Sequence, residues 1–233
     1  MKEERIDLGI PGLNKLLKGG IPRTNTLLVT GSPGTGKSIF GLQFLVDGAN
    51  KKEPGIYVTS EETLESLNQN AKSLGIDLEA LEKKGLITVI PQSVTGKIVS
   101  LEAPLKLIGK NKAKRIVIDS LTMFEFIYDK DYRRGLISFL TEIKELGVTL
   151  LAISEKSTSG ITDIEYKDED FLFDGLILLL NIRKGATFER CIYVSKMRGE
   201  SYPMNIYPFK IDKGGIKILT DQIPFSLSEK EFS

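Results

Sequence analysis

One stretch of the sequence, from Gly31 to Ser38, restricts the possible fold more than any other. It reads Gly-Ser-Pro-Gly-Thr-Gly-Lys-Ser and fills the phosphate-loop pattern G-x-x-x-x-G-K-[ST]. A predicted strand, 26–30, precedes it and a helix predicted to begin near Lys37 follows it, which is the context that the motif requires. Glycines let successive backbone N–H groups curl around phosphates at a helix N-terminus, where the helix dipole adds positive charge. The chain is therefore predicted to bind a nucleoside triphosphate.

Two side chains of this loop have distinct predicted roles. Lys37 is expected to reach the terminal phosphates, and the Ser38 hydroxyl is expected to ligate Mg²⁺. The predicted nucleotide contacts are the loop residues and the residue after them: Gly31, Ser32, Pro33, Gly34, Thr35, Gly36, Lys37, Ser38 and Ile39. A glycine-rich turn that only joins strand to helix is the alternative, and it leaves the Lys-Ser pair unexplained.

Strand-like and helix-like segments alternate through most of the chain. Strands are predicted at 26–30, 56–59, 87–90, 116–119 and 148–153, with helices at 13–17, 37–46, 63–74, 78–83 and 133–146. This alternation indicates an α/β fold with a mostly parallel sheet flanked by helices. Later strand-like runs at 176–182, 190–195, 206–211 and 216–219 predict antiparallel hairpins on one sheet edge. One domain is expected over residues 1–233, with a polar tail from about 222 to 233.

Charge and residue content exclude several classes of protein. Lys and Arg number 32 against 31 Asp and Glu, so no global charge draws the chain to nucleic acid or to a membrane surface. Histidine is absent, so acid–base chemistry falls to carboxylates, Lys and Arg. Cys191 is the single cysteine and is predicted to be a core thiol in a reducing compartment. The longest apolar run, 176–180, is too short to span a bilayer, and the N-terminus does not resemble a signal peptide. A soluble, cytoplasmic protein without a membrane partner is expected.

Three further acidic residues, at the ends of two predicted strands, complete a predicted hydrolytic site. Asp119 ends an apolar strand and is placed to hold Mg²⁺ beside Ser38. Glu61 and Glu62 follow the strand after the loop, and their mutual repulsion can raise one pKa toward that of a general base. The structural alternatives are a turn capped by Asp119 and a helix from Thr63 favoured by the two acids at its N-terminus.

A basic segment, Lys196-Met197-Arg198-Gly199, follows a predicted strand near the C-terminal end. Lys196 and Arg198 are one residue apart, and alternate residues of an extended chain point the same way, so both can clamp one phosphate tail. A charged edge strand that resists pairing with other chains is the structural alternative.

These residues together resemble the ATPase domain of the KaiC family, which lies within the RecA-like superfamily. The matching elements, in chain order, are Gly9-Ile10-Pro11-Gly12-Leu13, Gly19-Gly20-Ile21-Pro22, the phosphate loop, Glu61-Glu62, Ile118-Asp119-Ser120-Leu121, Lys196-Met197-Arg198-Gly199, Tyr207-Pro208-Phe209 and Ile211-Asp212. They cover almost the whole chain, and the Lys-Met-Arg-Gly element is much more specific than the phosphate loop. The chain resembles a single-domain archaeal or bacterial KaiC-like protein, since the clock protein carries two such domains.

The resemblance implies a RecA-like P-loop core assembled into a ring, usually hexameric, with ATP between neighbouring subunits. It implies that the phosphate loop, the Glu pair and Asp119 act within one subunit, whereas Lys196 and Arg198 reach the ATP of the adjacent one. Matching positions assign contacts near the ribose and base to Met197, Glu200, Tyr202 and Asp212. Glu200 and Tyr202 depart from the family, which often has Thr or Ser at the first position and His at the second.

Three functional classes fit these residues. The leading class is an oligomeric ATPase that couples slow hydrolysis to conformational signalling through an unknown protein partner. The second is a RecA-like DNA-dependent motor, in which the loop after Ile153 would face DNA. Six acids and two bases between 155 and 173 give that loop a charge of −4, which disfavours a phosphate backbone. A basic cluster at Lys110, Lys112, Lys114 and Arg115 would favour DNA instead.

The third class is an autophosphorylating Ser/Thr kinase, as the clock protein is. The acceptor positions of the family fall at about Asp170 and Phe171, and neither side chain can accept a phosphate. The remaining acceptor candidates in this loop are Ser157, Thr158, Ser159 and Thr162.

Overall fold

Helices and strands alternate along the chain in the computed structural model, which describes residues 4–60, 62–92, 102–121, 128–156 and 164–228. The strands are β1 (Arg5–Ile6), β2 (Ile21–Pro22), β3 (Thr26–Gly31), β4 (Gly55–Thr59), β5 (Ile87–Pro91), β6 (Arg115–Asp119), β7 (Thr149–Glu155), β8 (Gly175–Lys184), β9 (Thr187–Met197), β10 (Ile206–Asp212) and β11 (Gly215–Ile218). The helices are α1 (Leu13–Leu16), α2 (Lys37–Asn50), α3 (Leu64–Ser73), α4 (Leu78–Lys83), α5 (Glu102–Asn111), α6 (Tyr132–Glu145) and α7 (Phe225–Ser228). Short 3₁₀ turns cover Asp129–Asp131 and Asp168–Phe171.

Within the described ranges, nine strands form one sheet in the order β11-β10-β9-β8-β3-β7-β6-β4-β5. Strands β8, β3, β7, β6, β4 and β5 pair in parallel. Strands β9, β10 and β11 continue the sheet in antiparallel pairs on one side. A parallel sheet with antiparallel hairpins at one edge is the predicted fold, and the structure confirms it. Strands β1 and β2, which the sequence did not predict, form a separate two-stranded ribbon.

Helices cover both faces of the parallel sheet. On β3, Leu27 and Val29 join an apolar cluster with residues of α1 to α4, whereas Leu28 joins a second cluster with residues of α5 and α6. Strands that are buried on both faces need apolar residues at every position, which explains why they read as continuous apolar runs. No helix in the described ranges is both long and apolar enough to cross a bilayer.

Two segments differ from the sequence-based prediction. Helix α5 was not predicted because Pro104 and Gly109 interrupt its pattern, although proline is tolerated in the first turn of a helix. Helix α7 lies inside the stretch expected to be a polar tail. In the described part of the predicted tail, Ile223, Phe225 and Leu227 are exposed, so this stretch presents apolar as well as polar side chains.

Cys191 and Arg115 both lie in the interior. Cys191 is a buried free thiol whose pKa rises to about 12 because of burial and the nearby Glu189 charge, which supports the prediction of a core thiol. Arg115 is fully buried, so it cannot contribute to a basic surface cluster with the neighbouring lysines. That interpretation is wrong for Arg115, because its guanidinium is buried and paired with the part-buried carboxylates of Asp47 and Glu53.

Candidate nucleotide site

The phosphate loop lies at the carboxyl end of the parallel strands, between the end of β3 and the start of α2. Gly34 and Gly36 have φ angles of +75° and +101°. These values lie in the left-handed region, where a side chain would strain the backbone, so the loop needs glycine at both positions. Helix α2 begins directly after Gly36, so the N–H groups of its first turn belong to the loop's phosphate-binding side. Residues 31–38 therefore form a cradle suited to phosphate.

The Lys37 side chain is buried within this cradle. Its ammonium donates to the carbonyl oxygen of Gly31 at 2.9 Å and to that of Ser32 at 3.1 Å. The Thr35 hydroxyl donates to the same Ser32 oxygen at 2.8 Å and so helps to fix the curve of the loop. The positive charge of Lys37 is thus held inside the loop, where terminal phosphates would require it.

Tyr57, on β4, connects the two residues predicted to bind metal. Its hydroxyl donates to Asp119 Oδ2 at 2.5 Å and also contacts the Ser38 hydroxyl. Burial and the Asp119 charge raise the pKa of Tyr57 well above its usual value, so the hydroxyl stays protonated and remains a donor. One carboxylate and one hydroxyl fit Mg²⁺, which usually takes its remaining ligands from phosphates and water. The sequence identified Tyr57 only as a strand residue.

A cavity of about 560 Å³ opens beside the loop. This volume is typical of small-molecule sites. Its lining includes Lys37, Ser38, Glu62 and Asp119, which the sequence predicted. Asn70, Glu155 and Arg190 also line the cavity, and the sequence did not assign them to it. Their positions depend on tertiary packing, and no local motif marks them.

Glu62 faces this cavity as a carboxylate held by an amide. Its Oε2 atom accepts a hydrogen bond from Asn70 Nδ2 at 3.2 Å, and its backbone N–H donates to the Thr59 hydroxyl at 3.2 Å. Helix α3 is capped by Thr63, whose hydroxyl accepts from the Ser66 N–H at 3.2 Å. Thr63 therefore provides the side-chain cap of α3, and Glu62, which directly precedes it, also lies where an acid favours a helix N-terminus. Glu61 lies outside the described residues.

The Lys-Met-Arg-Gly segment lies at the amino end of the parallel strands, whereas the phosphate loop lies at their carboxyl end. Strand β9 runs antiparallel to β8, so Met197 pairs with Gly175, which is level with Leu27 at the start of β3. From Leu27 to Gly31 the strand advances about 13 Å, at roughly 3.3 Å per residue. Lys196 and Arg198 therefore lie at the other end of the strands from the phosphate loop of their own chain.

Lys196 and Arg198 converge on one segment, residues 170–174, although not in the predicted way. Strand β9 ends at Met197, so Arg198 lies in a turn and the two cations are not alternate residues of one strand. The Lys196 ammonium donates to three carbonyl oxygens of the 170–174 segment at 2.6 to 3.3 Å. These bonds match its three hydrogens. Burial and the Arg198 charge lower the pKa of Lys196.

The Arg198 guanidinium is more available. Its side chain is 57% exposed, and its contacts to the Phe171 carbonyl oxygen and to Asp174 Oδ1 are both long, at 3.4 Å. A guanidinium has five N–H donors in a fixed fork, so these contacts leave donors for another anion. Of the two cations, Arg198 is better placed to bind a group outside its own chain.

Three of the residues matched to ribose and base contacts lie near Arg198, at the amino end of the parallel strands. Met197 is buried in the apolar core. Glu200 forms an ion pair with Arg5 at 2.9 Å, and the hydrogen bond from Arg5 lowers the pKa of Glu200. The Tyr202 hydroxyl donates to a backbone oxygen of β9 at 3.1 Å. In the described chain all three have structural contacts within their own subunit.

Asp212, the fourth of these residues, lies at the carboxyl end of the parallel strands. It ends β10, and the preceding residue, Ile211, lines the cavity beside the phosphate loop. A Cβ atom at Gly36 would lie only 2.9 Å from Ile211 Cδ1, which places the end of β10 against the loop. One chain therefore brings Asp212 to its own phosphate loop and keeps it apart from Met197, Glu200 and Tyr202.

Part of the loop after β7 lies outside the described residues, including the candidate phosphate acceptors Ser157, Thr158, Ser159 and Thr162 and the acid Asp163. Of the two positions matched to the family's acceptors, Asp170 is buried and Phe171 is exposed. Asp170 forms an ion pair with Lys156, the first residue after β7, at 2.5 Å.

Comparison with known proteins bears on this arrangement. A family model described as "ATPase: KaiC" matches residues 6–223. The chain belongs to the KaiC family of ATPases. It is 36% identical over 223 residues to the circadian clock oscillator protein KaiC of Parathermosynechococcus lividus, covering 90% of this chain and 41% of that protein. It is 33% identical to KaiC of Synechococcus elongatus, covering 90% and 43% of the two chains. The chain thus spans less than half the length of these curated relatives.

A solved structure agrees with this assignment. The crystal structure of a KaiC-like protein from the hyperthermophilic archaeon Pyrococcus horikoshii OT3 matches with a TM-score of 0.81 and 32% identity, covering 93% of this chain and 99% of that one. The resemblance to the KaiC family and the RecA-like P-loop fold are therefore confirmed. ATP binding by a KaiC-type ATPase follows from the family.

Proposed function

We propose that this KaiC-like protein is a Mg²⁺-dependent ATPase that works as a ring of identical subunits, most simply a hexamer, and couples slow hydrolysis to signalling. The observation that carries the proposal is that the phosphate loop and Arg198 lie at opposite ends of the strands of one sheet. These two halves of a site cannot meet within one subunit, but they can meet when the carboxyl end of one subunit's sheet faces the amino end of its neighbour's. Each ATP would then lie between two subunits.

The subunit that supplies the phosphate loop performs most of the ground-state binding. The Lys37 ammonium and the loop N–H groups hold the terminal phosphates, while Ser38 and Asp119 hold Mg²⁺. When bound, Mg²⁺ neutralises charge on the phosphate oxygens. The Glu62 carboxylate, oriented by Asn70, accepts a proton from the attacking water.

The neighbouring subunit supplies positive charge at the moment of reaction. Arg198 has free donors and an exposed side chain, so it can bind equatorial oxygens on which negative charge rearranges in the transition state. Lys196, with its ammonium bonded to backbone oxygens of the 170–174 segment, supports the same region. A contact of this kind accelerates hydrolysis more than it strengthens ATP binding.

Mixing two inactive variants tests this division of the site. Arg198→Ala keeps an intact phosphate loop, and Lys37→Ala keeps an intact Arg198. In a mixed ring, some interfaces join a good loop to a good arginine, and we expect ATP hydrolysis to reappear at those interfaces. Hydrolysis rates of each variant alone and of the mixture, after subunit exchange has been shown by light scattering or labelled subunits, provide the measurement.

The control replaces the Lys37→Ala partner with the double variant Lys37→Ala/Arg198→Ala. No interface in that mixture contains Arg198, so it should stay inactive although the same rings form. If the first mixture also stays inactive in proven mixed rings, Arg198 does not act between subunits and the proposal fails.

Removing the carboxylates of the glutamate pair should separate ATP binding from hydrolysis. Glu61→Gln together with Glu62→Gln is expected to slow hydrolysis about 10²- to 10⁴-fold, because the general base is lost, while ATP affinity stays near the wild-type value. Initial rates and an ATP titration measure the two quantities. Glu65→Gln, the same change at an exposed position in the first turn of α3, should keep the wild-type rate. Wild-type turnover by the double variant would contradict the assigned role.

A further inference from the structure

The segment that contacts Lys196 and Arg198, residues 170–174, is itself fixed at both ends by buried carboxylates. At one end, Asp174 binds the Lys144 ammonium at 2.8 Å and accepts the backbone N–H of Thr26 at 2.9 Å. At the other end, Asp170 binds the Lys156 ammonium at 2.5 Å. The carbonyl oxygens between these two carboxylates are those that accept hydrogen bonds from the two cations.

The Lys156–Asp170 pair is removed from solvent on both sides. The side chains are 4% and 3% exposed. The same Asp170 Oδ2 atom also accepts the backbone N–H of Lys167 at 2.9 Å, and the Tyr166 ring lies 5.1 Å from the Lys156 ammonium. Two desolvated charges in contact tolerate the loss of one partner poorly. Neither residue is among those that line the cavity beside the phosphate loop.

Lys156 is anchored to the phosphate loop by its backbone. Its N–H donates to the Gly31 carbonyl oxygen at 3.2 Å, and its own carbonyl oxygen accepts from the Ser32 hydroxyl at 3.3 Å. The backbone of Lys156 thus belongs to the carboxyl edge of the sheet, while its side chain reaches the 170–174 segment. One residue connects the two separated halves of the site within a subunit.

We propose that Asp170, held by Lys156, is a positioning residue for hydrolysis in the neighbouring subunit. It fixes the 170–174 segment so that the carbonyl oxygens of this segment hold Lys196 and orient Arg198 toward the neighbour's ATP. Asp170 itself touches no nucleotide. A displacement of about 1 Å in a catalytic group can cost roughly 10²-fold in rate, so a small shift of the segment matters. This inference rests on the proposed ring.

The mixed-ring assay distinguishes this role from a general structural one. In that assay, the Lys37→Ala subunits supply only Arg198 and the Arg198→Ala subunits supply only the phosphate loop. Asp170→Asn is added to one type or to the other. We expect kcat of the mixture to fall at least about tenfold, with KM for ATP unchanged, when the change is in the Arg198-supplying subunits. In the loop-supplying subunits we expect less than a twofold change.

Two further variants sharpen the result. Asp168→Asn, the same change on an exposed residue of the same 3₁₀ turn, should leave both mixtures unchanged. Lys156→Met in the Arg198-supplying subunits should reproduce the loss. Adding Asp170→Asn to it should cost little more, because two residues that act as one pair are not additive.

Placement of the change is the decisive comparison. An equal loss in both subunit types, or no loss in the Arg198-supplying type, overturns the role of Asp170 while leaving the ring intact. If the parental mixture of Lys37→Ala and Arg198→Ala shows no activity, the ring proposal fails and this inference fails with it. The two failures are therefore distinguishable by experiment.

Discussion

Arg198→Ala is expected to lower kcat for ATP hydrolysis by about 10³- to 10⁵-fold, the span associated with loss of an arginine finger. ATP affinity should change much less, because the phosphate loop of the other subunit provides the ground-state contacts. A contact made mainly in the transition state appears in kcat and in kcat/KM to a similar extent. Single-turnover hydrolysis and an equilibrium ATP titration would measure the two effects separately.

Two variants make this result specific. Arg198→Lys keeps the charge but loses the planar fork, so it should recover only part of the rate. Arg134→Ala removes an exposed arginine at the start of α6 and should leave kcat near the wild-type value. A small-molecule kinase would need an arginine-bearing lid over the phosphates, for which the sequence offers Arg133 and Arg134, although these two residues begin a helix. A large loss at Arg134 with no loss at Arg198 would therefore reverse the assignment.

The order of elements was predictable because each signal is local. Apolar runs bounded by turn residues mark the strands, and the phosphate loop carries its own context of strand and helix. The end of α6 was predicted from Gly147, which adopts a positive φ of +70° just beyond the helix. The sequence also placed Asp119 and Ser38 in one site, and the structure brings both to Tyr57.

The contacts that the sequence did not predict depend on pairing between distant segments. Asn70 and Arg190 carry no motif, and they reach the cavity only because α3 and β9 converge there. Tyr57 carries no motif either, and its contacts with Asp119 and Ser38 depend on the pairing of β4 with β6. The positions of Arg198 and Asp212 follow from the direction of β9 and β10, which periodicity alone does not determine. The family resemblance grouped Asp212 with Met197, Glu200 and Tyr202 as contacts near the ribose and base, whereas the fold separates Asp212 from the other three within one chain.

Arg115 is another residue whose role becomes visible only in the structure, because its sequence position suggested a surface charge. Its guanidinium donates to Glu53 Oε2 at 2.7 and 2.9 Å and contacts Asp47 Oδ2 at 2.9 Å. It also donates to the Phe44 carbonyl oxygen at 2.7 Å and stacks over the Phe44 ring at 4.9 Å. A Cβ atom at Gly48 would lie 2.6 Å from Arg115 Nε, so α2 packs directly on this side chain.

Arg115→Met is expected to lower the free energy of unfolding by about 3–5 kcal/mol, because it removes a fully buried guanidinium that bonds to the part-buried Glu53 and Asp47 carboxylates and to the Phe44 carbonyl oxygen. Urea unfolding without nucleotide, at one fixed protein concentration, would measure the change, since ligand and assembly both shift apparent stability. Arg133→Met is the control. The Arg133–Asp168 pair is exposed, at 3.3 Å, and such pairs contribute about 0–1 kcal/mol.

The pH dependence of the Arg115→Met effect provides an independent check. Burial alone would raise the pKa of Glu53, but hydrogen bonds from Arg23 and Arg115 outweigh burial and hold that pKa below its usual value. A carboxyl whose folded-state pKa is lowered contributes stability above its unfolded pKa, about 4.3, and loses it as the pH falls through the folded value. The difference between wild type and Arg115→Met should therefore be full near pH 7 and shrink below about pH 4.

A second substitution tests the stated cause of the loss. Adding Glu53→Gln to Arg115→Met removes one of the carboxylates that lose the Arg115 bonds, so the double variant should be less destabilised than the sum of the two single variants. If Arg115→Met costs less than about 1 kcal/mol, as the exposed control should, the buried network does not stabilise the fold. If the loss is large but independent of pH and purely additive with Glu53→Gln, it arises from altered packing around Phe44 and Gly48 and not from the unpaired charges.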